Sequence, residues 1–154
     1  GEVEHALLIA ALLASDANRF GRVGARVLPV GHPRFADVLR AVLQAATPPA
    51  YVMLPKPRGV ADVERAAAAI DAMGGSTIPL HALVETHGAL HEVYALAAHP
   101  RIESLSFGLM DFVSAHRGAI PASAMGVKGQ FEHPLVVRAK LEIAAACHAE
   151  GPST

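Results

Sequence analysis

Four ionisable side chains lie within or just beyond short apolar segments, and their types could support chemistry. Arg26 lies within the first segment and Lys56 follows the second. Glu85 follows the third segment, and Asp111 comes shortly after the fourth. Charged groups are costly beside an apolar core unless they are paired or bind a metal ion. The four residues therefore predict a metal site, a structural ion-pair network, or charges that simply point outward.

The elements that would position these residues alternate along the chain. Blocks of Val, Leu and Ile bounded by Pro and Gly predict strands at 25–29, 51–54, 80–84 and 102–107. Helical spacing predicts helices at 2–14, 33–44, 60–73, 87–98 and 134–148, with a short helix at 111–116 and a loop at 118–132. Strand centres recur about every 23 to 29 residues, the length of one βα unit of a parallel sheet. The chain is predicted to be one α/β domain, residues 1–154, without a linker.

A parallel sheet brings the carboxyl ends of its strands to one side, and the loops that leave those ends face one another. Chemistry collects there, so the four ionisable residues are expected to meet at that side. Asp62, Glu64 and Arg65 show a different pattern, because they fall within the helix predicted at 60–73 and are interpreted as a solvated helix face.

Two pairs of segments carry a family resemblance. Residues 82–86 (Ala-Leu-Val-Glu-Thr) and 107–112 (Phe-Gly-Leu-Met-Asp-Phe) resemble segments of the HpcH/HpaI aldolase and citrate lyase beta-subunit family. Residues 25–29 (Ala-Arg-Val-Leu-Pro) and 54–56 (Leu-Pro-Lys) resemble that family's third-strand and fourth-strand segments, in the same order and at similar spacing. Leu28 is a departure, because the family often has an asparagine there.

This resemblance implies a fold, a reaction and a set of site residues. Family members are TIM (β/α)8 barrels that make or break carbon–carbon bonds beside a carbonyl, with Mg²⁺ or Mn²⁺, on 2-oxo acids or acyl-CoA thioesters. Carried over by position, Glu85 and Asp111 resemble the two carboxylate metal ligands. Arg26 resembles the arginine that holds the substrate carboxylate or the developing enolate oxygen. Coenzyme A is then expected only as part of a substrate.

Elementary chemistry agrees with these roles. A metal ion or a fixed cation lowers the barrier to an enolate, and Mg²⁺ takes one or two carboxylates together with water and substrate oxygens. The planar guanidinium of Arg26 fits a carboxylate in a way that a lysine does not. Lys56 is a candidate catalytic residue, with a solvated strand-end charge as the alternative. Gly108 and Met110 are predicted substrate-binding positions, where backbone N–H groups at a helix start could hold a carboxylate.

Chain length limits the barrel prediction. Family chains are nearly twice as long as these 154 residues, and four βα units cannot close an eight-stranded barrel. We therefore expect the chain to supply about half to two-thirds of a barrel, as part of a longer protein or with strands from another chain. An open doubly wound parallel sheet is the alternative fold. Two uncovered strand edges would favour self-association, so a homo-oligomer is expected.

Three functions are thus open. The leading hypothesis is a metal-dependent carbon–carbon lyase that uses Arg26, Glu85 and Asp111. A second hypothesis makes Lys56 the nucleophile of a Schiff-base aldolase. The third is a non-catalytic domain that binds a small acid or serves assembly, with the two carboxylates paired to Arg26 and Lys56.

The histidines suggest little further chemistry. His87 and His91 are spaced i and i+4, but Gly88 follows the first where a metalloprotease motif has glutamate, which disfavours zinc. His116 is a candidate for proton transfer, with an ordinary loop position as the favoured alternative.

Composition excludes several classes of function. The formal net charge is −1, so no basic field exists for a nucleic acid backbone. Cys147 is the one cysteine, which excludes an intrachain disulfide and a cysteine cluster and fits a reducing cytosol. No apolar run reaches the ~18 residues of a membrane span, and the acidic start is unlike a signal peptide. A soluble cytoplasmic protein with no membrane partner is predicted.

Overall fold

A parallel sheet forms the centre of the fold in the computed structural model, which describes residues 1–151. Its strands are β1 (Ala25–Arg26), β2 (Val52–Leu54), β3 (Leu80–Val84) and β4 (Ile102–Phe107), and each is parallel to the next. The helices are α1 (Glu2–Leu13), α2 (Phe35–Leu43), α3 (Val60–Ala72), α4 (His87–His91), α5 (Val93–Ala97), α6 (Leu109–Ala115), α7 (Gly129–Glu132) and α8 (Pro134–Glu150). None of the helices within 1–151 is long and apolar enough to cross a membrane.

The strands lie in the order β1-β2-β3-β4, which is also their order in the sequence. A doubly wound sheet reverses its strand order at a switch point, whereas successive βα units of a barrel place each new strand beside the previous one. The described strands show no such reversal. The sheet order therefore agrees with the barrel prediction and not with the open doubly wound alternative.

Element bounds agree closely with prediction in the centre of the chain and differ in three places. The strand predicted at 25–29 is shorter in the structure, because regular pairing with β2 ends at Arg26. Beyond it, the N–H of Val27 still donates a hydrogen bond to the carbonyl of Met53. The helix predicted at 87–98 is divided into α4 and α5 at Glu92. The segment predicted as a loop at 118–132 contains a 3₁₀ turn (Ala122–Met125) and α7, so that prediction was wrong.

One face of the sheet packs against the helices and forms the core. Alternate residues of β3 point to it, and Leu80, Ala82 and Val84 are each at most 1% exposed. α8 closes this layer with Cys147, which is buried, and burial raises the pKa of its thiol. Because strand side chains alternate with a period of two, the intervening residues lie on the opposite face.

The opposite face is less covered and carries polar side chains. Arg26 lies on it, because its neighbour Ala25 is buried and Arg26 is exposed. Near the amino ends of the strands the rings of Tyr51 and His81 stack with centroids 3.7 Å apart. The His81 Nε2 atom lies 2.7 Å from Glu103 Oε2. The open face of the sheet is therefore polar at the start of the strands and again at their carboxyl ends.

Asp62 does not lie on a solvated helix face, as its sequence context had indicated. Its carboxylate is buried in the first turn of α3, where it accepts hydrogen bonds from the N–H and Nε of Arg58 and from Arg65. Burial acts to raise the pKa of Asp62, but the bonds from Arg58 and Arg65 outweigh it and lower the pKa to about 2. Asp62 therefore ties the β2–α3 connection to its helix.

Asp62→Asn is expected to lower the free energy of unfolding by about 2 kcal/mol at pH 7. The folded-state pKa of Asp62 lies below the ordinary value of 3.8, so its stabilisation is complete above that pH and is lost as the pH falls toward 2. Urea denaturation at pH 7 and pH 3 measures the difference. The control is Asp71→Asn, because Asp71 pairs with Arg101 at the surface and should contribute less than about 1 kcal/mol. If Asp62→Asn lowered the free energy of unfolding by the same amount at pH 7 and pH 3, the stabilising role of the Asp62 carboxylate would be contradicted.

Candidate active site

Three of the four predicted residues meet at the carboxyl ends of β2, β3 and β4. Lys56 follows β2 by two residues, Glu85 directly follows β3, and Asp111 lies in the first turn of α6. The Lys56 Nζ atom is 2.8 Å from Asp111 Oδ1. The backbone N–H of Lys56 donates a 2.9 Å hydrogen bond to Glu85 Oε1. One lysine thus contacts both predicted metal ligands, through its side chain and through its backbone.

The backbone at Lys56 is unusual and explains this double contact. Lys56 lies between Pro55 and Pro57, and since proline has no N–H, Lys56 provides the one amide donor of this triplet. Its φ angle is 51°, in the left-handed region that non-glycine residues rarely adopt. Such conformations cost roughly 1–3 kcal/mol and persist where surrounding contacts hold them, commonly at functional sites. The bonds to Glu85 and Asp111 are those contacts.

Glu85 is the buried carboxylate of the site, at 4% exposure. Burial raises the pKa of Glu85, and the negative charge of Asp111 raises it further. The hydrogen bond from the Lys56 N–H and the positive charges of Arg26 and Lys56 act in the opposite direction without cancelling the rise in pKa. Two carboxylates whose negative charges act on each other favour a bound cation, and all of their donor atoms are the oxygens that Mg²⁺ prefers.

Gly108 makes room for Glu85. A Cβ atom at position 108 would lie 2.5 Å from Glu85 Cβ and closer still to Glu85 Oε2, so no larger residue fits without moving the carboxylate. The N–H of Gly108 donates to the carbonyl of Val84 at 3.1 Å. Space for Glu85 is thus the role that the structure shows for Gly108. Its predicted contact with a substrate stays a prediction, as does that of the exposed Met110.

Gly108→Ala is expected to reduce by about 10²-fold the carbon–carbon lyase activity that the sequence resemblance predicts, because a displacement of about 1 Å in a reacting constellation has an effect of that size. The extra methyl group should also destabilise the fold by about 1–3 kcal/mol through overpacking. Steady-state kinetics and thermal denaturation measure the two effects. Gly31→Ala is the control, since a Cβ at Gly31 would meet no atom within 4 Å. Full activity in Gly108→Ala would show that Glu85 needs no such space.

Arg26, on β1, adds a positive charge to the site. Within residues 1–151 it forms no hydrogen bond or ion pair, although its charge acts on Glu85. With Lys56 it lines a cavity of about 400 Å³. The remaining lining residues are mostly apolar: Glu2, His5, Ala6, Ile9, Val27, Leu28, Pro29, Val38 and Pro55. Leu28 lies here, so the departure from the family pattern falls in the cavity beside Arg26.

Glu2 and His5 are lining residues that the sequence analysis missed. They belong to α1, far in the sequence from the strand-end residues, and no motif marks them. Their spacing with Ile9 (i, i+3, i+7) places all three on one helix face. A polar pair beside the apolar residues of this face was the signal that the sequence offered.

His87, His91 and His116 lie apart from this cavity. His116 contacts His87 and Phe112, with ring centroids 4.0 Å and 4.4 Å away respectively. In the part of the chain that the structure describes, no three His, Cys, Asp or Glu residues are placed to hold a metal ion. Glu85 and Asp111 are therefore a two-carboxylate set, and the i, i+4 histidine pair has no third ligand.

Solved structures show which proteins this chain is similar to. Neither a protein-family model nor a curated protein matches the chain, whereas solved structures do. A crystal structure of a citrate lyase from Burkholderia xenovorans LB400 is 54% identical, with a TM-score of 0.93, over 97% of this chain and 49% of that one. The chain thus spans about half the length of this relative.

More distant structures share the fold. CitE from Mycobacterium tuberculosis, in complex with magnesium and pyruvate, is 23% identical with a TM-score of 0.67, over 83% of this chain and 48% of that one. A citrate lyase beta subunit from M. tuberculosis with oxaloacetate and magnesium is also 23% identical, with a TM-score of 0.66, over 83% and 51%. The fold is that of a (β/α)8 barrel, and the described sheet is a contiguous part of it. With 54% identity to a citrate lyase over nearly all of its residues, the resemblance of the chain to the citrate lyase beta-subunit and HpcH/HpaI aldolase family is confirmed.

Proposed function

We propose that the protein is a Mg²⁺-dependent carbon–carbon lyase or aldolase of the citrate lyase beta-subunit type. It would cleave or form a bond beside the carbonyl of a 2-oxo acid or an acyl-CoA thioester. The observation that carries the proposal is the meeting of buried Glu85 with Asp111 and Lys56 at the carboxyl ends of adjacent parallel strands. Arg26 lies beside them and has no ion-pair partner within residues 1–151. The 54% identity to a citrate lyase supports it, as do magnesium and oxaloacetate in a more distant relative.

Glu85 and Asp111 are the residues that would hold Mg²⁺. Both offer carboxylate oxygens, and two carboxylates are the usual protein contribution to a Mg²⁺ site, with substrate and water as the other ligands. Burial raises the pKa of Glu85 and the negative charge of Asp111 raises it further, and a divalent cation between the two carboxylates would offset both effects. When bound, the metal supplies fixed positive charge for the oxygen of a developing enolate.

The other residues bind and orient. The Arg26 guanidinium, which has no ion-pair partner within residues 1–151, would bind a substrate carboxylate through two parallel hydrogen bonds. Lys56 orients the two carboxylates, with Nζ on Asp111 and its backbone N–H on Glu85. Leu28 and the other apolar residues of the cavity exclude water from the substrate, so that charges at the site interact more strongly.

Chelation tests the metal requirement. The full-length protein is assayed for retro-aldol cleavage of 2-oxo acids and retro-Claisen cleavage of acyl-CoA thioesters, with and without EDTA. We expect activity to fall to background in EDTA and to return with excess Mg²⁺ or Mn²⁺. Activity that EDTA leaves unchanged would refute the proposal. The same assays show which substrate class is turned over. Sedimentation of the same preparation shows whether the active species is a homo-oligomer.

The Schiff-base alternative fits the geometry less well. The Nζ of Lys56 contacts a carboxylate, as an ammonium group does, and an ammonium has no lone pair for attack on a carbonyl. Borohydride reduction in the presence of substrate gives a permanent adduct only if an imine forms. We expect no mass increase on Lys56 under these conditions.

The Lys56–Asp111 ion pair is the observation that favours a non-catalytic alternative. In that case the four charges neutralise one another and the domain binds a small acid or serves assembly. The two functions differ in their response to Mg²⁺, because a site that is satisfied by its own ion pairs takes up no metal.

A further inference from the structure

The chain that follows Lys56 is held from outside the site by the connection after β3. Contacts join residues 57–60 to residues 86–92, and the partners follow one another in the same order along both segments. They are Pro57 with Thr86, Arg58 with Gly88, and Val60 with Glu92. Because residue 57 belongs to the Pro55-Lys56-Pro57 turn, these contacts bear on the conformation of Lys56.

The hydroxyl group of Thr86 makes two hydrogen bonds of different kinds. Its Oγ1 atom accepts a 3.1 Å bond from the N–H of Ala89, which caps the start of α4. The same Oγ1 atom donates a 2.7 Å bond to the carbonyl of Pro57, 29 residues earlier in the chain. Capping needs only the accepted bond. The donated bond therefore has a separate role, which is to hold the carbonyl end of the Pro55-Lys56-Pro57 turn.

Gly88 allows the next residue of the segment to lie directly against α4. A Cβ atom at position 88 would overlap the carbonyl oxygen of Arg58 and lie 3.1 Å from its carbonyl carbon. Glycine inside a helix is less favourable than alanine, so α4 itself gains no stability from it. What the glycine permits is the close approach of the Arg58 backbone. Thr86 and Gly88 thus fix two successive carbonyl groups, those of residues 57 and 58.

Lys56 needs this support because its backbone lies in the left-handed region, at a φ of 51°. A side chain with a Cβ disfavours that region, so an unsupported turn would leave it. The bonds from Lys56 to Glu85 and Asp111 act on residue 56 itself. The contacts of Thr86 and Gly88 act on the chain that follows and keep the turn from unwinding in that direction.

We propose that Thr86 and Gly88 are positioning residues of the lyase site, which hold residues 55–57 against α4 so that the N–H of Lys56 stays on Glu85. They act through Lys56 and do not themselves hold the metal. Their consequence for metal binding rests on the function proposed above, whereas the position of Lys56 is measured without any metal. The two parts of the inference are therefore tested separately.

Hydrogen exchange at the Lys56 amide tests the positioning role directly. Proline has no N–H, so Lys56 carries the backbone amide of residues 55–57, and mass spectrometry of peptides across the turn can isolate its exchange. The measurement uses the full-length protein in EDTA. Thr86→Val removes the hydroxyl and keeps the shape of the side chain, and Gly88→Ala pushes against the Arg58 carbonyl. Each should raise the exchange rate of the Lys56 amide by about tenfold.

Two control variants separate positioning from a general loss of stability. Thr86→Ser keeps a hydroxyl group and should retain wild-type exchange at Lys56. Ser15→Ala removes a hydroxyl that also donates to a backbone carbonyl, that of Leu12 at 2.7 Å, but at the end of α1. It should leave exchange at Lys56 unchanged. Gly88→Ala adds a further distinction, because a role limited to helix stability would make α4 exchange more slowly and leave Lys56 as it is.

Calorimetric titration of the same proteins with Mg²⁺ measures the consequence for the site. Thr86→Val and Gly88→Ala should each bind Mg²⁺ about tenfold more weakly, as residues that orient metal ligands do when replaced, while both controls bind as wild type does. Unchanged exchange at Lys56 in either variant would overturn the proposal, as would faster exchange with unchanged Mg²⁺ affinity. If wild type bound no Mg²⁺, the proposed function would fail, and exchange at Lys56 alone would decide whether Thr86 and Gly88 position it.

Discussion

Glu85→Gln is expected to lower kcat/KM for carbon–carbon cleavage by about 10³-fold, because loss of the charged metal ligand removes several kcal/mol of transition-state stabilisation. The fold should persist, since a glutamine oxygen can still accept the Lys56 N–H that now bonds to Glu85 Oε1. Removing a buried carboxylate whose pKa is raised by burial should not destabilise the protein at neutral pH. Steady-state kinetics at saturating Mg²⁺ and thermal denaturation measure both expectations.

The control for this variant is Glu103→Gln. Glu103 pairs with His81 at the opposite end of the strands, so its loss should change kcat/KM by less than about twofold. If Glu85→Gln kept its activity, or if Glu85→Gln and Glu103→Gln lost activity equally, the role proposed for Glu85 in the reaction would be wrong.

Arg26→Lys is expected to lower kcat/KM by about 10²-fold. A lysine keeps the positive charge but not the planar fork that binds a carboxylate through two hydrogen bonds, and a misplaced substrate reacts more slowly. The stability of the fold should not change, because Arg26 is exposed and makes no ion pair within residues 1–151. Kinetics of the variant with a carboxylate substrate give kcat and KM separately.

Arg40→Lys is the matched control for Arg26→Lys. Arg40 lies on α2 and pairs with Asp37 at the surface, so the exchange should be neutral there. Equal kinetics for Arg26→Lys and wild type would exclude a two-hydrogen-bond contact with substrate. A loss of activity in both variants would point to a general effect of arginine replacement.

Much of the fold could be predicted from local signals. The bounds of β3 and β4 agree with the predicted strands because Pro, Gly and apolar blocks mark them, and α3 ends before Gly74, whose φ of 85° suits glycine. The parallel order followed from the regular βα spacing. The predicted convergence of Lys56, Glu85 and Asp111 needed only the rule that strand ends meet at one side of a sheet.

The remaining features depend on contacts between distant residues. The break between α4 and α5 lies at Glu92, whose carboxylate accepts the N–H of Val60, and no local pattern encodes that bond. Asp62 is buried because Arg58 and Arg65 surround it, although helical spacing alone indicated solvent. The close approach of Gly108 to Glu85 is likewise a contact between residues that follow two different strands.

A calorimetric titration of the full-length protein with Mg²⁺ tests the central claim most directly. Binding of one Mg²⁺ per chain to wild type, lost in both Glu85→Gln and Asp111→Asn and kept in Glu103→Gln, is the predicted result. Wild-type protein that gives no heat above background, or both site variants binding as wild type does, would show that Glu85 and Asp111 serve the Lys56 ion pair and not a metal ion.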